Sequence, residues 1–426
     1  MNNREEFVYK AEKADREDIL KRFRSYFRTD EKLIYFDGNS LGMMPLRSEK
    51  VANELISHEW GERLIRGWNE NWWEMPWRVS EKISQLIGCE SEEVIVCDST
   101  SVNLYKLVSA ALNMQKGRKK IISDDLNFPS DLYVIQGIIK NLDDGHILKL
   151  VQSDNGVDID YSKLFAKIDK NTAVVVFSHV SFRSAFMYDM KRVTEYAHKQ
   201  GVLIIWDLSH AIGAVKIDLD SVNADMAVGC TYKYLNGGPG SPAFLYVNRK
   251  IQDSVVSPIW AWLGEKDPFE FSLDYRPSDG AHRYMTGSPN ILSLCTLEPS
   301  LDIILEAGMD NIRSKSLRLT GFLLELYHAF LEPLGFVLGS PERENERGSH
   351  ISLKHKEGYR ICKALTDNKL GNYVIIPDFR PPDNIRLGLA PLYNRFDEVY
   401  RVVLEIRNIV KERLYESYDS NTDTVT

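Results

Sequence analysis

Three uninterrupted apolar runs, Val94-Ile-Val-Cys97, Ala173-Val-Val-Val-Phe177 and Val202-Leu-Ile-Ile-Trp206, constrain this chain more than any other feature. A strand with one face in water alternates apolar and polar residues. A continuous run needs cover on both faces, which is the signature of a parallel sheet layered between helices. Between the second and third runs, Asp189 can cap a helix, Met190, Val193 and Ala197 fall on one face, and Gly201 can end it. The segment reads as a βαβ unit, right-handed almost by default. Ligands in such sheets collect at the carboxyl ends of the strands, where Ser178 and Asp207 fall. Capping of the next element is the competing role for both residues.

With 426 residues and 43% hydrophobic content, the chain can bury a large core. Residues 1–50 mix a charged amphipathic start with a turn-like segment, and an N-terminal arm contributing to the small domain and the active site is expected there. A large domain follows over 51–300, then a small C-terminal α/β domain over 301–417 and a polar, disordered tail over 418–426. Within the C-terminal part, long helices are expected over 297–331, strands near 349–353 and 373–377, and a closing helix from 397 to about 415.

Several function classes are disfavoured. A formal net charge of −8 argues against a broad nucleic-acid-binding face. No apolar stretch approaches the ~18 residues that span a bilayer. The opening Met-Asn-Asn-Arg-Glu-Glu lacks a basic head followed by an apolar core, so a cytoplasmic protein is expected. The five cysteines are odd in number and lack CxxC spacing, as expected of free thiols in a reducing compartment. No HExxH, zinc-type or EF-hand spacing appears, and no metal site is expected.

The chemistry concentrates in two segments. Leu203-Ile-Ile-Trp-Asp-Leu-Ser-His210 carries Asp207, and about 26 residues later Gly229-Cys-Thr-Tyr-Lys-Tyr-Leu-Asn-Gly-Gly-Pro-Gly240 carries Lys233. An acid at a strand end and a lysine on a glycine-rich turn suit pyridoxal 5'-phosphate. That cofactor needs an amine to hold its aldehyde as a Schiff base and an acid to keep its pyridine nitrogen protonated. A phosphate cup is available where 94–97 runs into Asp98-Ser-Thr-Ser-Val-Asn103. Thr100 and Ser101 there offer hydroxyls and backbone amides at a helix start, or serve as ordinary caps. In Asn127-Phe-Pro-Ser-Asp131, Phe128 offers a flat ring for stacking and Asp131 can orient neighbours or substrate. Tyr232 can bond the phosphate and relay a proton. His210 can pack on the ring or steady Asp207.

These segments, with Phe36-Asp-Gly-Asn-Ser-Leu-Gly42, Arg66-Gly-Trp68 and Ala390-Pro-Leu-Tyr-Asn394, resemble the kynureninase family in its bacterial form. They occur in family order across most of the chain. The resemblance implies the aspartate-aminotransferase fold (fold type I), with a large, mostly parallel sheet domain covered by helices and a small α/β domain. It also implies hydrolysis of L-kynurenine to anthranilate and L-alanine in tryptophan breakdown, and a homodimer with shared active sites. By matching positions, Lys233 would carry the cofactor and Asp207 would pair with the pyridinium nitrogen. Phe128 would stack on the ring, while Thr100, Ser101, Pro129, Ser130, Asp131, Ser178, His210 and Tyr232 complete the cofactor contacts. Trp262 and Ser288 would reach the phosphate region across the dimer interface. Arg386 would clamp the substrate carboxylate in a bidentate contact, with Ser40 and Trp68 lining the pocket. Tyr232, with the phosphate, is the candidate base for hydrating the substrate ketone.

Two departures from the family pattern bear on the ring substituents accepted. Glu265 stands where a histidine is usual, and Arg183-Ser-Ala185 stands for Arg-Thr-Gly. A ring-substituted kynurenine, 3-hydroxykynurenine among them, therefore stays open. So do a desulfurase-like lyase or aminotransferase of the same fold and a non-catalytic scaffold. A desulfurase needs a mobile-loop cysteine, and Cys362, the only one in the C-terminal part, falls in a helical pattern.

Overall fold

In the computed structural model, which describes residues 3–367 and 373–419, a seven-stranded sheet forms the centre. Its order is Val94–Val96, Phe244–Val247, Met226–Gly229, Leu203–Asp207, Thr172–Ser178, Lys120–Asp124 and Ile147–Val151. Only Phe244–Val247 runs antiparallel to its neighbours. The expected βαβ unit is present. Strands Thr172–Ser178 and Leu203–Asp207 pair in parallel, and helix Met190–Lys199 joins them with Asp189 as its cap, Oδ1 accepting from Arg192 N at 3.0 Å.

Continuous apolar character follows from cover on both faces. Val175, Phe177, Ile204 and Trp206 belong to one core cluster, while the alternate residues Val174, Val176, Leu203 and Ile205 belong to another on the opposite face. Trp206 is fully buried and its indole N–H donates to Thr194 Oγ1 at 3.3 Å. Trp206→Ala should cost about 3–5 kcal/mol of stability by emptying that space. Chemical denaturation checks this, and a loss below about 1 kcal/mol would contradict the packing described.

The C-terminal part builds a third core around a four-stranded antiparallel sheet, ordered Asp378–Arg380, Asn384–Gly388, His350–Lys354 and Val337–Leu338. Helices Ile291–Ala307 and Met309–Leu326 lead into it, and Phe396–Lys411 closes it. The N-terminal residues join this region. Strand Leu33–Tyr35 pairs in parallel with Val374–Ile376, and Asp37 bridges Gly388. Asn394 secures the junction: its Nδ2 donates to Tyr35 O at 3.0 Å, and its Oδ1 accepts from Ala390 N at 2.7 Å. Of the tail, Tyr418 is tied in, its carbonyl accepting from Arg360 Nε at 2.8 Å, and 420–426 lie outside the described residues. Among the described residues no helix is long and apolar enough to cross a membrane.

Candidate active site

The carboxyl ends of two neighbouring strands deliver the first two groups, since Ser178 and Asp207 are paired in register. Asp207 is buried. Its Oδ1 accepts from Ser209 N at 2.9 Å and Ser209 Oγ at 2.6 Å, and Ser178 Oγ lies 3.4 Å from its Oδ2. Ser209 also receives the backbone N–H of Cys230 at 3.1 Å, which ties the lysine turn to the strand end. Sequence reasoning passed over Ser209. A serine two residues after a strand-end aspartate is a common turn pattern, and it is the only signal available.

Lys233 is half-buried and its Nζ donates to His210 Nε2 at 2.8 Å. Burial first, then the Lys233 and Arg386 charges, push the His210 imidazole well below its ordinary range, so it is a neutral acceptor. Of the two roles expected for His210, steadying Asp207 is not the one seen, since its bond goes to Lys233. Tyr232, next along the chain, has its phenol pushed upward by the adjacent Cys230 and by burial, so it holds its proton. The N-terminal arm braces this turn. Gly42 N donates to Tyr232 O at 2.7 Å, and a side chain at Gly42 would meet Asn236 Cα at 2.6 Å.

Helix Pro129–Leu142 begins beside the lysine. Asn127 sets its start: Oδ1 accepts from Ser178 Oγ at 2.6 Å and from Phe128 N at 2.8 Å, while Nδ2 donates to Ser123 Oγ at 2.9 Å. Phe128 is 41% exposed, with its ring centroid 5.8 Å from Lys233 Nζ and an edge contact to Phe182. Asp131, in the helix's first turn, is buried, and burial followed by the Asp207 charge pushes its carboxyl well above the usual range. The candidate cup lies at the start of helix Thr100–Met114, capped by Ser99, where first-turn amides have no intrahelical acceptor. Ser101 Oγ and Ser130 Oγ are 3.0 Å apart across it. Beneath lies an unanticipated anchor. Fully buried Lys106 pairs with Asp98 and donates to Tyr284 O at 2.6 Å, while Thr286 Oγ1 donates to Asp98 Oδ1 at 3.0 Å.

Arg386 sits in a tighter setting than expected. It is buried on strand Asn384–Gly388, with Nε and Nη2 on Asp378 and Nη1 on the Phe182 carbonyl. Its Nη2 also donates to Ser40 Oγ at 2.9 Å. Arg380 Nε joins the same aspartate at 3.1 Å. The fork therefore presents no edge free for a bidentate carboxylate; an incoming acid must share it with Asp378. His350, on the adjoining strand, stands 5.8 Å ring to ring from His210, and neither of its ring nitrogens has a hydrogen-bond partner among the described residues.

Trp68 and Trp262 have other partners in the single chain. Trp68 lines a cavity of about 80 Å³ with Trp77, Leu263, Glu265 and His282. Trp262 Nε1 donates to Pro268 O at 2.8 Å, and Ser288 is exposed. Among the described residues, no hydrogen bond or ring contact joins these three to the lysine turn. Of the two departures, Glu265 is paired with Arg276 at 2.9 Å. Ala185 has φ +63°, the left-handed region that favours glycine.

The residues fit a phosphorylated aldehyde cofactor on structural grounds. One amine, one strand-end acid and one helix-start cup converge. The buried atoms Asp131 Oδ2 and His210 Nδ1 have no hydrogen-bond partner among the described residues. Cys362 does not fit a desulfurase: it lies in helix Gly358–Thr366, buried, with its thiol pushed well above the ordinary value. No group of three or more metal-ligating side chains occurs among the described residues.

The family description "Kynureninase C-terminal domain" matches residues 312–406, and "DegT/DnrJ/EryC1/StrS aminotransferase family" matches 78–221. The kynureninase of Pseudomonas fluorescens is 39% identical over 406 residues, covering 94% of this chain and 95% of that protein. The chain belongs to the kynureninase family. The kynureninase of Burkholderia mallei is likewise 39% identical, over 96% of both chains. Among solved structures, a cysteine desulfurase of Thermococcus onnurineus superposes with a TM-score of 0.79 at 19% identity, covering 92% of this chain and 98% of that one. At that identity the likeness speaks for the fold alone, which is fold type I. The aminotransferase match covers five of the seven sheet strands, the cup and the strand-end acid, and stops before Lys233. The kynureninase match covers the Arg386 region.

Proposed function

We propose that the protein is a pyridoxal 5'-phosphate-dependent hydrolase that cleaves L-kynurenine, or a ring-substituted kynurenine, to anthranilate or its derivative and L-alanine. The observation that carries this reading is the half-buried Lys233 bonded to neutral His210, with the strand-end acid Asp207 buried nearby, within a chain of the kynureninase family. Bound there, the cofactor supplies an aldehyde that condenses with amines and a ring that takes up electrons released from carbon. Asp207 would pair with the ring nitrogen and favour its protonated form. Thr100, Ser101 and Ser130, with the first-turn amides, would hold the phosphate, and Phe128 would pack on the ring. Lys233 would hold the cofactor and, when its amine is free, would move the proton at the substrate Cα. Neutral His210 keeps that amine aimed. Arg386 and Ser40 hold the substrate carboxylate. Because Tyr232 keeps its proton, it suits the donor in the carbon–carbon cleavage; acting as a base for ketone hydration requires it first to give that proton up.

The protein is further inferred to be a cytoplasmic homodimer with shared active sites. The five cysteines are free, as a reducing compartment favours. Trp260, Phe269, Phe271 and Leu273 form an exposed apolar stretch beside Trp262, more than a lone surface residue requires. A second copy covering it would carry Trp262 and Ser288 to the partner's cup. Sedimentation should find a dimer, and a monomer at full activity would contradict the shared site.

The reading is tested by incubating the holoprotein with L-kynurenine and with 3-hydroxykynurenine. Fluorescent anthranilate, or its hydroxylated form, should appear with one equivalent of alanine. Release of sulfide and alanine from cysteine, with no cleavage of either kynurenine, would overturn it.

A further inference from the structure

Two cations and two carboxylates meet where the N-terminal arm crosses the small sheet. Asp378 takes Arg386 and Arg380 directly. Asp37 lies one step away, bridged through its backbone to Gly388, two residues past Arg386. Its Oδ1 is buried and has no hydrogen-bond partner among the described residues. Ser40, three residues on, accepts from Arg386 at 2.9 Å and from Arg380 at 3.4 Å. The cluster is balanced with both carboxyls ionised. A substrate carboxylate docking here adds a negative charge to a largely buried cluster that is neutral only when both carboxyls are ionised, which is costly unless it is compensated.

Resting on the reading of Arg386 given above, we propose that Asp37 takes up a proton when the substrate carboxylate docks, so that this buried carboxyl offsets the added charge. The surrounding groups narrow the choice. The phenols of Tyr35, Tyr234 and Tyr393 and the thiol of Cys362 are pushed upward by burial and already hold their protons. Asp378 is engaged by both arginines. His210 and His350 face Arg386, but burial and the neighbouring cations push both well below the ordinary imidazole range. Burial and the Asp378 charge raise the Asp37 carboxyl to about 7, so near neutrality it gains a proton at little cost.

The sign follows by linkage. An added anion raises the proton affinity of Asp37, so binding takes up a proton between its free and bound midpoints. Affinity is then highest at low pH and falls as pH rises above 7. If docking raises that proton affinity about tenfold, uptake at pH 7.5 is about half a proton, and Kd rises about sixfold from pH 6.5 to 8.5. The probe is 3-benzoylpropionate, an aryl ketone acid without the amine whose own titration would interfere. Calorimetry on the holoprotein in two buffers of different ionisation enthalpy counts the protons. Asp37→Asn should take up fewer than about 0.1 protons, with Kd changing less than about twofold over the same range.

Full uptake persisting in Asp37→Asn would assign the proton to another group and overturn the proposal. So would absence of uptake in the parent, a measurement that decides the matter even if the variant does not fold. Failure of the probe to bind the parent would sink the Arg386 assignment and this proposal with it. A parent that cleaves kynurenine yet takes up no proton leaves the functional reading standing and removes this inference alone.

Discussion

Lys233→Ala should lose the absorbance of the lysine-bound cofactor and lower kcat for kynurenine cleavage by about 10⁴-fold. Two roles fall to one side chain: it holds the aldehyde and it moves the Cα proton. The loss should not come from unfolding. Lys233 is half-buried, and among the described residues its side chain's one hydrogen bond goes to His210, whose imidazole is pushed below its ordinary range chiefly by burial. The variant should therefore melt with the parent in the absence of cofactor. Small primary amines added to the medium should restore part of the rate, because they can replace the proton-transfer role. Retention of more than a tenth of the parent kcat would contradict the assignment.

Arg386→Lys should lower kcat/KM by about 10²–10³-fold, chiefly through KM. A lysine keeps the charge but cannot engage Asp378, Ser40 and a substrate carboxylate together, as the planar fork can. Arg386→Ala is the less informative change. It strands the buried Asp378 without this partner, at a cost of about 3–5 kcal/mol, so activity and stability would fall together. Steady-state kinetics on Arg386→Lys, with its thermal midpoint measured alongside, separates the two. An unchanged KM would remove Arg386 from carboxylate binding.

The sheet was legible where burial is two-sided and the run is long, as in Thr172–Ser178 and Leu203–Asp207. It was not legible at Ile147–Val151, an edge strand whose alternate residues are exposed, or at Met226–Gly229, four residues long with an alanine and a glycine. The lysine, its strand-end acid and the cup stood out because each sits at a strand or turn boundary that local pattern marks. The surroundings of Arg386 did not. Asp378 reaches it across a sheet register, Ser40 from 346 residues away in sequence, and His350 from the adjoining strand, and none of these pairings has a local signature. Lys106 shows the same limit: it reads as an ordinary helical lysine, and only the fold shows it buried beneath the cup.

The central claim is that Lys233 holds the cofactor on an enzyme that cleaves kynurenine, and reductive trapping tests it most directly. Borohydride treatment of the holoprotein, followed by peptide mass spectrometry, should place one phosphopyridoxyl group per chain on Lys233 and abolish anthranilate release in proportion. A label on any other lysine, or full cleavage activity after labelling, would contradict the account.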